Sequence, residues 1–225
     1  MTTLHLNKLK SKSTALAFID LRKAYDRVSR ERLWSVMGNM GYGGPFPRIL
    51  QNLYFESNTV LSFGGIDTEK FTVHEGLKQG CVLSPILFAL YMTDLEAQLL
   101  QSGLGLSAGG MHIPALIFAD DIILIADNDS NLNKMLKMLS NFCNKRRLEI
   151  NCKKSGILIT PQNNNTVPHW KIVHSKGQPG IKITKYLEEV WLYKYLGIFK
   201  KKGNSPFKLH WDKIIPRAKK IEWAY

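Results

Sequence analysis

Cysteine is scarce in this chain, and the pattern of the few present excludes two broad classes of protein. Cys81, Cys143 and Cys152 form an odd, scattered set with no Cys-x-x-Cys pair. Neither a disulfide framework nor a thiolate zinc site fits that spacing, so they read as reduced intracellular thiols. His74, His112 and His169 stand apart without ligand spacing and are read as incidental. No apolar stretch reaches the ~18 residues of a membrane-spanning helix. The opening Met1-Thr2-Thr3-Leu4-His5-Leu6-Asn7-Lys8 lacks a signal-peptide core. No membrane partner is expected. Acidic residues are also in short supply, 18 Asp and Glu against 31 Lys and Arg.

What remains is an ordinary globular composition with a strong basic excess. The hydrophobic fraction of 44% over 225 residues supports one large domain or two small ones. A net charge of +13 suits a polyanionic partner. Residues 171–225 carry 13 Lys and Arg against 4 Asp and Glu, while residues 1–170 carry 18 against 14. Most of the excess therefore lies in the last quarter, either as a solvated tail or as a surface that tracks phosphates. Trp170, Trp191, Trp211 and Trp223 are interleaved with it, which argues against simple disorder.

The coarse organisation alternates strands and helices. Thr14 to Asp20 reads as a strand that ends in a carboxylate. Ser29 caps a helix from Arg30 to about Met40, with Leu33, Val36, Met37 and Met40 on one face. A second helix is expected over Phe46 to Phe55, with Ile49, Leu50 and Leu53 inward. Thr59 to Phe63 and Phe71 to Val73 read as a strand pair joined through Gly64-Gly65-Ile66-Asp67. A long apolar helix begins near Ser84-Pro85, since proline is tolerated at a first helical position, and runs to about Gln101. Another spans about Ser130 to Arg147. Ile157 to Ile159 and Tyr195 to Ile198 are short strands, Pro161 to Pro168 is a loop, and Pro206 to Ala224 is a helix interrupted by Pro216.

The most telling segment is Phe118-Ala119-Asp120-Asp121, flanked by Ile113-Pro114-Ala115-Leu116-Ile117 and by Ile122-Ile123-Leu124-Ile125-Ala126. Both flanks read as strands, so two carboxylates sit at a hairpin bend. A solvated Asp-Asp turn is one reading. The other is a divalent-cation site, because adjacent carboxylates repel and hard oxygen ligands suit Mg²⁺. Further elements fall in order around it: Asp20 with Tyr25-Asp26, then Gly76-Leu77-Lys78-Gln79-Gly80, and after the pair Asn151-Cys152-Lys153-Lys154-Ser155. Acids at strand ends could gather at one sheet edge, where two divalent ions ~3.5–4 Å apart clamp an in-line phosphoryl displacement.

In that order the segments resemble the motifs of reverse transcriptases. Ala17-Phe18-Ile19-Asp20-Leu21-Arg22-Lys23-Ala24-Tyr25-Asp26 is similar to motif A, and Gly76 to Phe88 to motif B. Phe118-Ala119-Asp120-Asp121 is similar to motif C, Leu148 to Ser155 to motif D, and Tyr195-Leu196-Gly197 to motif E. Ala119 and the Gln-Gly-x-x-x-Ser-Pro spacing resemble the non-LTR (LINE-type) retrotransposon and group II intron branch. The resemblance runs from about residue 15 to 200.

It implies an α+β polymerase palm, an antiparallel sheet with helices packed on one face. Residues 1–160 would be the palm core with motifs A to D, and 161–225 the primer grip with the basic start of a thumb. Asp20 and Asp120 would be the principal metal ligands with the Leu21 carbonyl assisting, and Asp121 a secondary ligand or electrostatic neighbour. Two Mg²⁺ ions are implied, with Mn²⁺ an alternative. Tyr25 would lie under the sugar of the incoming nucleotide and exclude a 2′-hydroxyl. Asp26 reads as a structural partner for a nearby base. Gln79 and Gly80 would sit against nucleotide and template, Lys154 (with Lys153 beside it) would assist the leaving pyrophosphate, and Tyr195, Leu196 and Gly197 would hold the primer end.

The implied partners are an RNA template, a DNA primer and a deoxynucleoside triphosphate. Only about fourteen residues precede the motif A strand, so the fingers are expected to be largely absent and the thumb incomplete. A longer parent polyprotein would supply fingers and endonuclease. Two functions stay open: an RNA-directed DNA polymerase palm, and a truncated or domesticated remnant that binds nucleic acid or a partner without polymerising. Location is expected to be intracellular, in nucleus, cytoplasm or both.

Overall fold

The computed structural model describes residues 14–55, 58–108 and 111–160, and beyond them the strands Trp170–Ser175, Lys182–Glu189, Leu192–Tyr195 and Ile198–Lys201. Strand β1, Thr14–Asp20, is buried along its length. Its even and odd positions are both apolar (Leu16 and Phe18 against Ala15, Ala17 and Ile19), which is the pattern of a strand covered on two faces. A single 3₁₀ turn at Tyr25–Arg27 leads to α1, Arg30–Asn39, where the Ser29 hydroxyl accepts from the Arg32 N–H at 3.4 Å.

Helix α2, Pro45–Phe55, corrects the expected inward face. Leu50 and Tyr54 are buried, whereas Ile49 and Leu53 are 63% and 44% exposed. The helix carries two apolar stripes, and the Leu50/Tyr54 pair, four residues apart, is the one that meets the core. Met40 likewise lies beyond the end of α1 and faces solvent. The expected strand pair after α2 is broken into two short ribbons. β2, Asn58–Thr59, pairs with β5, Phe71–Thr72, and β3, Ser62–Phe63, pairs with β4, Ile66–Asp67. Gly64 and Gly65 both take positive φ, 60° and 82°, between β3 and β4, as a type I′ hairpin requires.

Helix α3, Ser84–Gln101, is followed by a hairpin of β6, Leu106–Ala108, and β7, Met111–Ile113, then by β8, Ala115–Phe118, and β9, Asp121–Ala126. Helix α4, Asp129–Arg146, opens on an Asn128 cap (Oδ1 to the Asn131 N–H, 2.9 Å), and β10 is Gly156–Thr160. The remaining strands β11 to β14 are the four named above, in order. Tyr195 to Ile198 does not run as one strand: Tyr195 closes β13 and pairs with Ile198, which opens β14.

The main sheet has the order β11-β12-β10-β1-β9-β8. It is antiparallel except between β10 and β12, which run parallel, a departure from the all-antiparallel expectation. β11, which lies between them in sequence, pairs antiparallel with β12. One face packs on α3 and α4: Ala15, Ala17, Ile122, Leu124 and Ile157 join Tyr91, Leu95, Met135 and Leu139 in a single core. Small residues at 15 and 17 let the helices approach closely. The opposite face bears a separate cluster of Leu16, Phe18, Ile123 and Leu158. Among the described residues no helix is long and apolar enough to cross a membrane.

Candidate active site

Strand register brings the acids together. Asp20, the last residue of β1, is paired with Asp121, the first of β9. Directly opposed residues share a sheet face, so both side chains lie on the Phe18/Ile123 side, away from the helices. Asp120 occupies the two-residue turn Ala119-Asp120 that closes the β8–β9 hairpin. Ala119 has φ of +52°, the sign that a II′-like hairpin needs at its first loop position. The three carboxylates therefore occupy one end of the central strands.

Their electrostatics are those of crowded anions. The Asp121 carboxyl is held above the ordinary carboxylate range, first by burial and then by the charges of Asp120 and Asp20. Tyr25 is also pushed up, by burial and then by Asp120. A carboxyl whose folded pKa is raised favours the protonated folded state. Its contribution is full below the ordinary pKa and is lost as pH rises through the raised value. Asp121→Asn is thus expected to raise the melting temperature of chelator-treated protein at neutral pH by about 2–4 °C. The gain should vanish in acid, as scanning fluorimetry across pH would register, and an equal gain at both extremes would contradict it.

The donor set is chemically suited to a hard divalent cation, because three carboxylates and a carbonyl supply only oxygen. Leu21 is bridged to Ile150, with Asn151 N–H to Asp20 O at 2.9 Å and Arg22 N–H to Glu149 O at 2.8 Å on either side. In that pattern the Leu21 carbonyl turns away from Ile150, toward the β9 side. Among the described residues, however, no three Asp, Glu, His or Cys side chains stand gathered as an ion-holding set. Asp20 is instead engaged by its neighbour, with Asn151 Nδ2 donating to its Oδ2 at 2.9 Å.

That contact is the main residue-level finding that sequence reasoning missed. Asn151 and Ser155 lie in the motif D segment, yet nothing local says that they serve Asp20. Ser155 Oγ accepts the Asp20 N–H at 3.1 Å and donates to the Asn151 carbonyl at 2.9 Å. Asp20 is thus fixed through its N–H, its carbonyl and its carboxylate. Asn151→Ala is expected to lower nucleotide incorporation about tenfold, roughly the 1.4 kcal/mol of one charge-assisted bond. Steady-state primer extension would measure it, and an unchanged rate would remove Asn151 from the site.

The other expected residues are placed as follows. Tyr25 stacks on Phe88 of α3, centroids 4.9 Å apart. Gln79 is exposed, and Gly80 has φ of +80° with nothing within 4 Å of where a Cβ would stand. Lys153 and Lys154 are exposed in the turn that follows Asn151, with the Lys154 N–H on the Asn151 carbonyl at 3.0 Å. Tyr195 ends β13, while Leu196, Gly197 and the basic segment 202–225 lie outside the described residues. Among the described residues Asp26 pairs with no basic side chain. It accepts from Gln79 Nε2 at 2.7 Å, while Arg22 and Arg27 both turn to Glu149, at 3.3 and 2.8 Å. Cys81 and Cys143 are free thiols, and burial pushes Cys143 up to about 12.

Residues 1–199 match the family described as reverse transcriptase (RNA-dependent DNA polymerase). The chain belongs to the reverse transcriptase family. Among relatives, it is 30% identical over 188 residues to a Pol polyprotein of the type-1 retrotransposable element R2 from Popillia japonica, covering 80% of this chain and 26% of that one. It is 34% identical over 194 residues to the R2DM Pol polyprotein of Drosophila melanogaster, covering 83% and 18%. A 149 kDa protein of transposon TX1 from Xenopus laevis is 26% identical over 158 residues, 69% of this chain and 12% of that one. This chain of the reverse transcriptase family thus spans about a third or less of the curated relatives that it matches. Telomerase of Candida tropicalis shares the fold at a TM-score of 0.58 and 15% identity, over 88% of this chain and 33% of that one.

Proposed function

We propose that this chain carries the nucleotidyl-transfer centre of a non-LTR retrotransposon reverse transcriptase, built as a polymerase palm. The observation that carries the reading is the Asp20–Asp121 register with Asp120 at the adjoining turn, in a chain of this family. The primer 3′-hydroxyl oxygen attacks the α-phosphorus of a deoxynucleoside triphosphate paired to an RNA template. The bond to the β,γ-phosphates breaks and pyrophosphate leaves, while the hydroxyl proton passes to solvent. Two Mg²⁺ ions (or Mn²⁺) held by Asp20, Asp120 and the Leu21 carbonyl, with Asp121 beside them, would supply Lewis-acid stabilisation to the attacking and leaving oxygens.

The chain's own groups do the rest. Asn151 and Ser155 hold Asp20 in place, and Tyr25, braced on Phe88, takes the sugar and excludes a 2′-hydroxyl by bulk. Lys154 offers charge or a proton to pyrophosphate, and Tyr195, Leu196 and Gly197 hold the primer end. RNA template and DNA primer follow the basic surface. A longer polyprotein supplies what the relatives have beyond this region, and the work is intracellular, in nucleus, cytoplasm or both. The second reading is a truncated or domesticated remnant that binds nucleic acid or a partner without polymerising. Primer extension on RNA with Mg²⁺ separates the two. Incorporation with pyrophosphate release is expected, and none from demonstrably folded protein would leave the remnant.

A further inference from the structure

The loop between β5 and α3 is fastened to the 3₁₀ turn at Tyr25–Arg27 by its backbone. The Leu77 N–H donates to the Tyr25 carbonyl and the Gly76 N–H to the Val28 carbonyl, each at 2.8 Å. Gly76, at φ of +83°, passes so close that a Cβ would stand 2.8 Å from the Asp26 carbonyl oxygen. Asp26 is thereby held in fixed relation to the loop, and its carboxylate takes the Gln79 amide at 2.7 Å from 53 residues away. The contact is exposed. A bond between solvated groups adds little to folding, so stability alone gives a weak account of it.

Orientation gives a stronger one. A glutamine amide has two chemically different ends, while an ionised carboxylate can only accept. Asp26 must therefore take the Nε2 end, and Oε1 is turned away. Next to it Gly80 leaves open space. We infer that Asp26 is a positioning residue for Gln79: it sets the amide so that Oε1 faces the nucleotide pocket as an acceptor for an O–H or N–H of the incoming nucleotide. This rests on the nucleotidyl-transfer reading of the site. Without the carboxylate the amide can turn over and offer donors where an acceptor is needed, which weakens nucleotide binding while leaving the transfer step intact.

The test is a double-mutant cycle on nucleotide KM and kcat, with Asp26→Ala, Gln79→Ala and the pair, in primer extension with Mg²⁺. Each single change is expected to raise KM about tenfold, as loss of one good hydrogen bond does, with kcat within about twofold. The double variant should be no worse than Gln79→Ala. Asp26→Asn, which keeps the shape but can bond either end of the amide, should fall between Asp26→Ala and the parent. Multiplying effects, or a fall in kcat at constant KM, would overturn the assignment. A second readout needs no turnover: the Gln79 side-chain amide signals in a ¹⁵N spectrum should move and exchange faster in Asp26→Ala. If the parent protein incorporates nothing but those signals report the bond, the polymerase reading fails and the orientation stands. If the signals do not change, the orientation fails whatever the activity.

Discussion

Replacing Asp120 by alanine is expected to reduce templated incorporation by about 10³-fold or more, the scale of loss on removing a central electrostatic group from a transfer site. Asp120 is the acid whose charge acts on both Asp121 and Tyr25, so it stands near a strand-end carboxylate and near the residue assigned to the sugar. It contributes no buried packing, since it stands half-exposed in a two-residue turn. Folding should therefore survive, and the melting temperature should hold or rise slightly as repulsion on Asp121 is relieved. Asp120→Asn keeps the side-chain shape and removes the charge, so it should be as inactive. Primer extension with both variants, alongside thermal melts, decides the matter. Activity retained within tenfold would show that Asp120 does not serve the reaction.

The elements easiest to read from sequence were those in which periodicity and chemistry coincide. β1 has the expected bounds because its residues are apolar on both faces and end abruptly in Asp20. α3 and α4 fall within a residue or two of expectation because each is long, and α3 is plainly started by Ser84-Pro85. α2 was harder for a physical reason. Phe46, Ile49 and Leu53 form one apolar stripe and Leu50 and Tyr54 another, and spacing does not say which faces inward. β6 and β7, at three residues each, are too short to display alternation.

The site shows the same division. The acids and the Gln79-Gly80 step stood out because the segments that carry them fall in the order of reverse transcriptase motifs. Their supports were not. Asn151 meets Asp20 across 131 residues and Gln79 meets Asp26 across 53. Pairings of that span depend on sheet register and loop docking, which a single sequence does not display. Asp26 illustrates the cost: local reasoning assigned it a nearby basic partner, and Arg22 and Arg27 are close in sequence. Glu149 takes both arginines instead and leaves Asp26 free to hold an amide.

The same distance from local reasoning makes Arg30 the residue whose loss should harm the fold most. It is the first residue of α1, yet its guanidinium reaches four carbonyls: Gly76 from Nε at 2.9 Å, Tyr54 and Val73 from Nη1 at 2.9 and 2.7 Å, and Glu75 from Nη2 at 3.3 Å. It also lies over the Tyr54 ring, 5.0 Å from the centroid. Burial pushes its pKa down from the ordinary arginine value, because taking the cation out of water disfavours its charge. Arg30→Ala strips a charged donor from three carbonyls of the 73–76 loop at once and leaves part of Tyr54 unpacked. At ~1.5–3 kcal/mol per hydrogen bond to a charged group, discounted for non-additivity, the expected loss is about 3–5 kcal/mol. For a chain of this size that is a fall of roughly 6–20 °C in melting temperature. Arg30→Lys should recover little, because a point charge on a flexible stem cannot reproduce the fork. Hydrogen exchange tells local from global damage: the Gly76 and Leu77 amides, bonded to Val28 and Tyr25, should lose protection before those of β1 and β9. A fall of under 2 °C, with those amides still protected, would mean that the loop holds itself. It would also mean that Gly76 keeps its place against Asp26 without the Arg30 bond.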